Sequence, residues 1–195
     1  ASVTKVAATT SALAWLAAGG DIGLDDPAER YLSGFAHPEV TLRALLGHRS
    51  GLPAWRPFFV RAMEDPLAGV IFGPRQRAPI AAWARARRLV LRDVFAAPLE
   101  APGHRVYSDL GFITLGALIE AVVDDRLSAF CRDTLFDGYD LGFADLARSE
   151  SWLDERCVLP TGRTRPREPA PGQEHLYRVP PQDPSEDAGR VDDDN

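Results

Sequence analysis

The chain has 195 residues, 45% of them hydrophobic and 26% charged, with a formal net charge of -6. That length and mixture suit one domain with a sizeable core and exclude a disordered, collagen-like or disulfide-scaffold chain. The acidic balance argues against non-specific binding to nucleic acid or anionic lipid. The longest apolar run, Ala12 to Ala18, is far shorter than the ~20 residues of a membrane span.

In chain order, residues 2 to 18 place Val6, Leu13 and Leu16 among alanines. A helix apolar nearly all round is a buried one, and Gly19-Gly20 supplies its stop. A polar, Pro-punctuated connection follows. Leu42, Leu45 and Leu46 then mark a short helix closed by Gly51 and Pro53. Pro79 to Phe95 reads as a helix with Ile80, Trp83, Val90, Leu91 and Val94 on one side and Arg85, Arg88 and Arg92 on the other. A solvated arginine face is the plain reading there, and a nucleic-acid patch the rival one. After Tyr107, the residues Leu110, Ile113, Thr114, Ala117, Leu118 and Ala121 have the spacing of an amphipathic helix, ended by Asp124-Asp125. A further short helix is expected from Leu127 to Leu135. Beyond Cys157 the chain is rich in Pro, Gly and charge and lacks an apolar period. No strand pattern stands out, so the expected fold class of this chain is mostly α.

The chain begins at Ala1-Ser2 without an initiator Met or leader pattern and stops in an acidic run at Asn195. Both features predict an internal piece of a longer protein. Cys131 and Cys157 have no metal-ligand spacing and the histidines do not cluster, so no metal site is expected. A pair of free thiols and a single disulfide are equally compatible with the two cysteines.

Lys5 is the sole lysine in an arginine-rich chain, and Ser2 lies three residues before it. In the first turn of a helix, that spacing puts hydroxyl and amine on one face. The positive end of the helix and apolar burial both favour the free amine, which can take a serine proton. Unpaired N–H groups at the same helix end can hold an oxyanion. A second group, Tyr107-Ser108-Asp109, offers a tyrosine able to move protons; the bland alternative is that Ser108 or Asp109 caps the helix.

Taken in order, these pieces resemble the serine β-lactamase-related superfamily, comprising class C β-lactamases, DD-peptidases and esterases of the same fold. Ser2-Val3-Thr4-Lys5 is similar to its S-x-x-K motif and Tyr107-Ser108-Asp109 to its Y-x-N motif. Leu24-Asp25-Asp26-Pro27, the run from Thr41 to Pro53, Pro102-Gly103 and Leu110-Gly111-Phe112 also fit that pattern. The resemblance implies Ser2 as acylated nucleophile, Lys5 as its base or base-orienting cation, Tyr107 as general acid/base and Asp109 at the substrate. It implies no cofactor, a small ester, β-lactam or peptidoglycan-like substrate, and a periplasmic or extracellular location. His48 and Ser50 invite a triad reading, whereas the family resemblance makes their segment structural.

The parent fold so implied is α+β, with helices around an antiparallel sheet beside an all-helical subdomain. Within it, 1-19 corresponds to the nucleophile helix, 20-156 to the helical subdomain and 157-195 to an extended Pro-rich segment. Two departures stand out. Asp109 occupies the position of an Asn, and an ionised carboxylate accepts hydrogen bonds but cannot donate them. Beside Lys5 it favours the ammonium form, with Tyr107 as base, and inclines the reading towards esters. The family's third motif, K-T-G or H-x-G, does not follow Tyr107 and is expected beyond Asn195.

Overall fold

A computed structural model describes residues 2–72, 78–100 and 102–137. Helices account for every named element there, and no strand occurs among the described residues. In chain order they are a π-helical turn at Lys5–Thr10, α1 (Ser11–Gly19), a 3₁₀ turn at Ala28–Arg30, α2 (Leu42–Leu46) and α3 (Phe59–Glu64). A 3₁₀ turn at Ala68–Phe72, α4 (Ile80–Phe95), α5 (Asp109–Val123), α6 (Leu127–Phe130) and a π turn at Cys131–Leu135 follow. An isolated antiparallel bridge joins Pro27 to Thr41.

The hub is α5. Leu110, Leu115, Leu118 and Ile119 are all fully buried. Leu42 and Leu45 of α2, Val94 and Phe95 of α4, and Ala12, Leu13 and Leu16 of α1 share one core with them. A smaller cluster of Ala62, Ala68, Ala86 and Leu89 binds α3 and its following turn to α4. Local signals set the ends of these helices. Thr41 Oγ1 accepts from the Ala44 amide at 3.2 Å to start α2, and Ser108 Oγ accepts from the Gly111 amide at 3.1 Å to start α5. Gly20, with φ 82°, closes α1, while Asp124, with φ 52°, closes α5.

Several faces differ from those expected. The first helix is not buried all round: Val6, with Val3 and Trp15, faces outward. On α4, Ile80 and Trp83 are exposed, and the inner stripe is Ala82, Ala86 and Leu89. Further along the helix Val94 is buried as expected, with Phe95, and Val90 and Leu91 pack partly buried against the core. Of its arginines, Arg85 pairs with Asp65 at 2.9 Å and Arg92 with Asp93 at 3.1 Å. Rather than amphipathic, α5 is buried on most sides, and Ala121 of the expected stripe is exposed. Cys131 is a buried free thiol, pushed up to about 11 by burial. Cys157 and the Pro-rich segment 157–195 lie outside the described residues.

Candidate active site

Ser2 and Val3 open the first helix, and the turn after them is π-helical. Its wider turn is matched by side chains reaching five residues back. Thr10 Oγ1 donates to the Lys5 carbonyl at 2.7 Å and Ser11 Oγ to the Val6 carbonyl at 3.2 Å. Such turns are concentrated at functional sites. Lys5 points inward from this turn, 5% exposed, and its Nζ meets Asp109 Oδ1 at 2.7 Å. The same Nζ lies 5.3 Å from the Tyr107 ring centroid and 5.9 Å from that of Phe112.

Tyr107 arrives on a loop held in place by main-chain bonds to the loop after α2. Glu100 N donates to Gly51 O at 2.8 Å, Gly103 N to Arg49 O at 3.0 Å, Val106 N to His48 O at 2.9 Å and Asp109 N to Ala54 O at 2.8 Å. Ser108 Oγ adds a bond to the Pro53 carbonyl at 2.6 Å. Gly51 makes the approach possible. Its φ is 87°, and a Cβ built there would lie 2.8 Å from Pro102 N. The result places the Tyr107 hydroxyl as donor to Ser2 Oγ at 3.0 Å, across 105 residues of chain. Structure thus gathers Ser2, Lys5, Tyr107 and Asp109 at one point, with Ser2 and Tyr107 open to solvent and Lys5 behind them.

His48 belongs to this cluster, through contacts that its place after a short helix does not announce. Its ring centroid stands 4.5 Å from that of Tyr107 and 5.1 Å from that of Phe112. Burial, then the charges of Lys5 and Arg105, hold its imidazole below the usual histidine range, with Asp109 opposing them. No hydrogen bond places it on Ser2, and the Ser50 hydroxyl is turned to the Leu52 amide at 3.3 Å. Neither contact makes a triad. Among the described residues, no group of three or more His, Cys, Asp or Glu converges on a metal-sized space. A cavity of about 690 Å³ is lined by Thr4, Thr9, Trp83, Phe112 and Gly116, among others, but not by Ser2, Lys5 or Tyr107.

A buried lysine paired with a carboxylate, under a serine–tyrosine hydroxyl pair at a helix start, sits on a fold with known counterparts. The Beta-lactamase family model matches residues 1–189, and the chain belongs to the β-lactamase family. It is 29% identical over 147 residues to a protein of Escherichia coli O157:H7 named D-alanyl-D-alanine carboxypeptidase, covering 70% of this chain and 30% of that protein. A penicillin-binding protein of Bacillus subtilis (strain 168) is 26% identical over 117 residues, covering 60% and 23% of the two chains. The crystal structure of a penicillin binding protein from Bacillus halodurans matches with a TM-score of 0.51 and 26% identity, over 70% of this chain and 40% of that one. The chain spans less than half the length of each of these relatives.

Proposed function

We propose that this chain supplies the nucleophile and proton-transfer groups of a serine hydrolase that works through an acyl-serine intermediate on small ester or amide substrates. The observation that carries the reading is the 3.0 Å hydrogen bond between the Tyr107 and Ser2 hydroxyls, backed by the buried Lys5–Asp109 pair. Ser2 Oγ attacks the substrate carbonyl while its proton passes to Tyr107 Oη, which accepts it as the phenolate, its own proton having first left to solvent. Lys5, held as an ammonium by Asp109, steadies the phenolate before the transfer, which moves the negative charge to the substrate oxygen. Collapse of the tetrahedral intermediate breaks the bond to the leaving group, which takes the proton back from Tyr107. Water then repeats the sequence on the acyl-serine and frees the acid. The N–H groups of the first helical turn have no partner within their own helix and offer one side of an oxyanion hole.

Asp109 favours esters, because its carboxylate cannot donate to a substrate amide carbonyl. The relatives' names favour a second reading, a DD-peptidase or true β-lactamase, with the same acyl-serine chemistry. A non-catalytic binding module is the reading from another class. Treating the natural full-length protein with a fluorophosphonate probe and mapping the adduct separates these classes. The expected result is one adduct on Ser2, absent in Ser2→Ala; a folded protein that never labels would make it a binding module. Relative rates on a nitrophenyl ester, a chromogenic cephalosporin and a peptide ending in D-Ala-D-Ala then rank the substrates.

A further inference from the structure

We propose that His48 is the positioning residue for Tyr107: it clamps the tyrosine from both sides of the chain and across its ring, and it does so only as the neutral imidazole. The inference rests on the hydrolase reading given above. Three contacts converge. The His48 carbonyl accepts from the amide of Val106, the residue before Tyr107, at 2.9 Å. Its Nδ1 accepts from the amide of Ser108, the residue after Tyr107, at 3.1 Å. Between these two bonds the imidazole lies against the Tyr107 ring, with centroids 4.5 Å apart and planes inclined by 35°.

The backbone of His48 is bent to make this possible. Its φ is 56°, in the left-handed region that a residue with a Cβ enters only when its surroundings hold it there. The strain is retained at a residue that touches the proposed general base, whereas a glycine would satisfy the turn alone.

Accepting from Ser108 N requires a lone pair on Nδ1, so the clamp uses the tautomer with its proton on Nε2, or none on Nδ1 in any case. Protonation would point an N–H at another N–H. The charged groups facing the ring come from every element around it: Lys5 from the first helix, Arg105 from the loop before Tyr107, and Asp109 from α5. Arg49, next along its own loop, is turned to the Gly103 carbonyl. Burial and the two cations keep the imidazole neutral, against Asp109, so the clamp holds below the ordinary histidine midpoint of about 6.5. Acidification through the depressed midpoint releases Tyr107 and lowers the rate of Ser2 acylation.

The test uses the natural full-length protein, labelled with ¹⁵N-histidine and ¹³C-tyrosine, and follows both NMR signals and fluorophosphonate labelling against pH. His48→Asn keeps an acceptor at the δ position and tolerates positive φ, but does not titrate. In the wild type, the Tyr107 ring resonances and the labelling rate should both follow the His48 midpoint. In His48→Asn that acid limb should vanish while labelling persists, and His48→Ala should label about tenfold more slowly or worse, a modest misplacement cost. An unchanged acid limb in His48→Asn, or Tyr107 resonances indifferent to His48, overturns the proposal. A wild type that never labels overturns the catalytic consequence together with the hydrolase reading. In that event, Tyr107 signals that still track His48 show that chemistry, and not the clamp, was misassigned.

Discussion

Lys5 and Asp109 define the residue scale. An ammonium removed from water is costly unless a carboxylate and further polar groups receive it, and here Nζ meets Asp109 Oδ1 at 2.7 Å beneath the Tyr107 and Phe112 rings. The pocket fits a compact point charge on a flexible stem. An arginine would keep the charge but bring a wider planar group that cannot occupy the same space. Lys5→Arg should therefore slow labelling of Ser2 by at least ~10²-fold in the full-length protein, the scale of a displaced catalytic contact. Labelling kinetics measured beside a circular-dichroism melt would separate this from unfolding. A near-normal rate would reduce Lys5 to a packing residue. The convergence of Ser2, Lys5 and Tyr107 was legible because each carries a chemically unusual side chain in an ordered motif. His48 was legible as a triad candidate or a structural residue after α2, and its contact with Tyr107 was not, because a positive φ at a residue other than glycine leaves no mark in composition.

At the scale of elements, the site depends on two loops that hold each other. Residues 48–54 and 100–109 exchange main-chain hydrogen bonds at Gly51, Arg49, His48 and Ala54, and Ser108 both caps α5 and bonds the Pro53 carbonyl. The seam closes only because Gly51 has no side chain. Gly51→Ala puts a methyl 2.8 Å from Pro102 N at a φ of 87°. A left-handed non-glycine residue alone costs about 1–3 kcal/mol. The unfolding midpoint should fall by several degrees, and Tyr107 should lose its place beside Ser2. Thermal melts and fluorophosphonate labelling measure the two effects; a variant that melts and labels like wild type would mean that the seam yields without cost. Helices with caps and leucine spacing, α2 and α5, could be read from the sequence. The face of α4 was legible only in its second half, where Val94 is buried as expected and Val90 and Leu91 pack against the core. Periodicity gives weight to large side chains such as Ile80 and Trp83, whereas close packing selects Ala82 and Ala86. Nor did α3 announce itself: Phe59–Glu64 is one short helix without a side-chain cap, held by the helix and turn it packs against.

At the scale of the whole molecule, the helix that presents Ser2 has one face in the core and another in solvent. Ala8, Ala12, Leu13 and Leu16 are buried, while Val3, Val6 and Trp15 are 70%, 71% and 55% exposed. A tryptophan and two valines along one helix are costly in water and point to a surface that another element covers. The chain corresponds to less than half of each relative it matches. We propose that the sheet expected to bear the family's third motif covers this face and supplies the second oxyanion donor. Loss of one such donor costs about 10²–10³ in rate. Residues 1–195 expressed alone should therefore bind a dye such as ANS, associate as concentration rises, and hydrolyse a nitrophenyl ester at least ~10²-fold more slowly than the full-length protein. Val6→Lys together with Trp15→Lys should suppress the association without restoring turnover, since charge removes the apolar face but supplies no oxyanion donor. Sedimentation velocity, ANS fluorescence and ester hydrolysis on the same preparations test each part. A monomeric, dye-free chain with full-length turnover would mean that the Ser2 helix needs no cover and that the oxyanion donors all lie within these 195 residues.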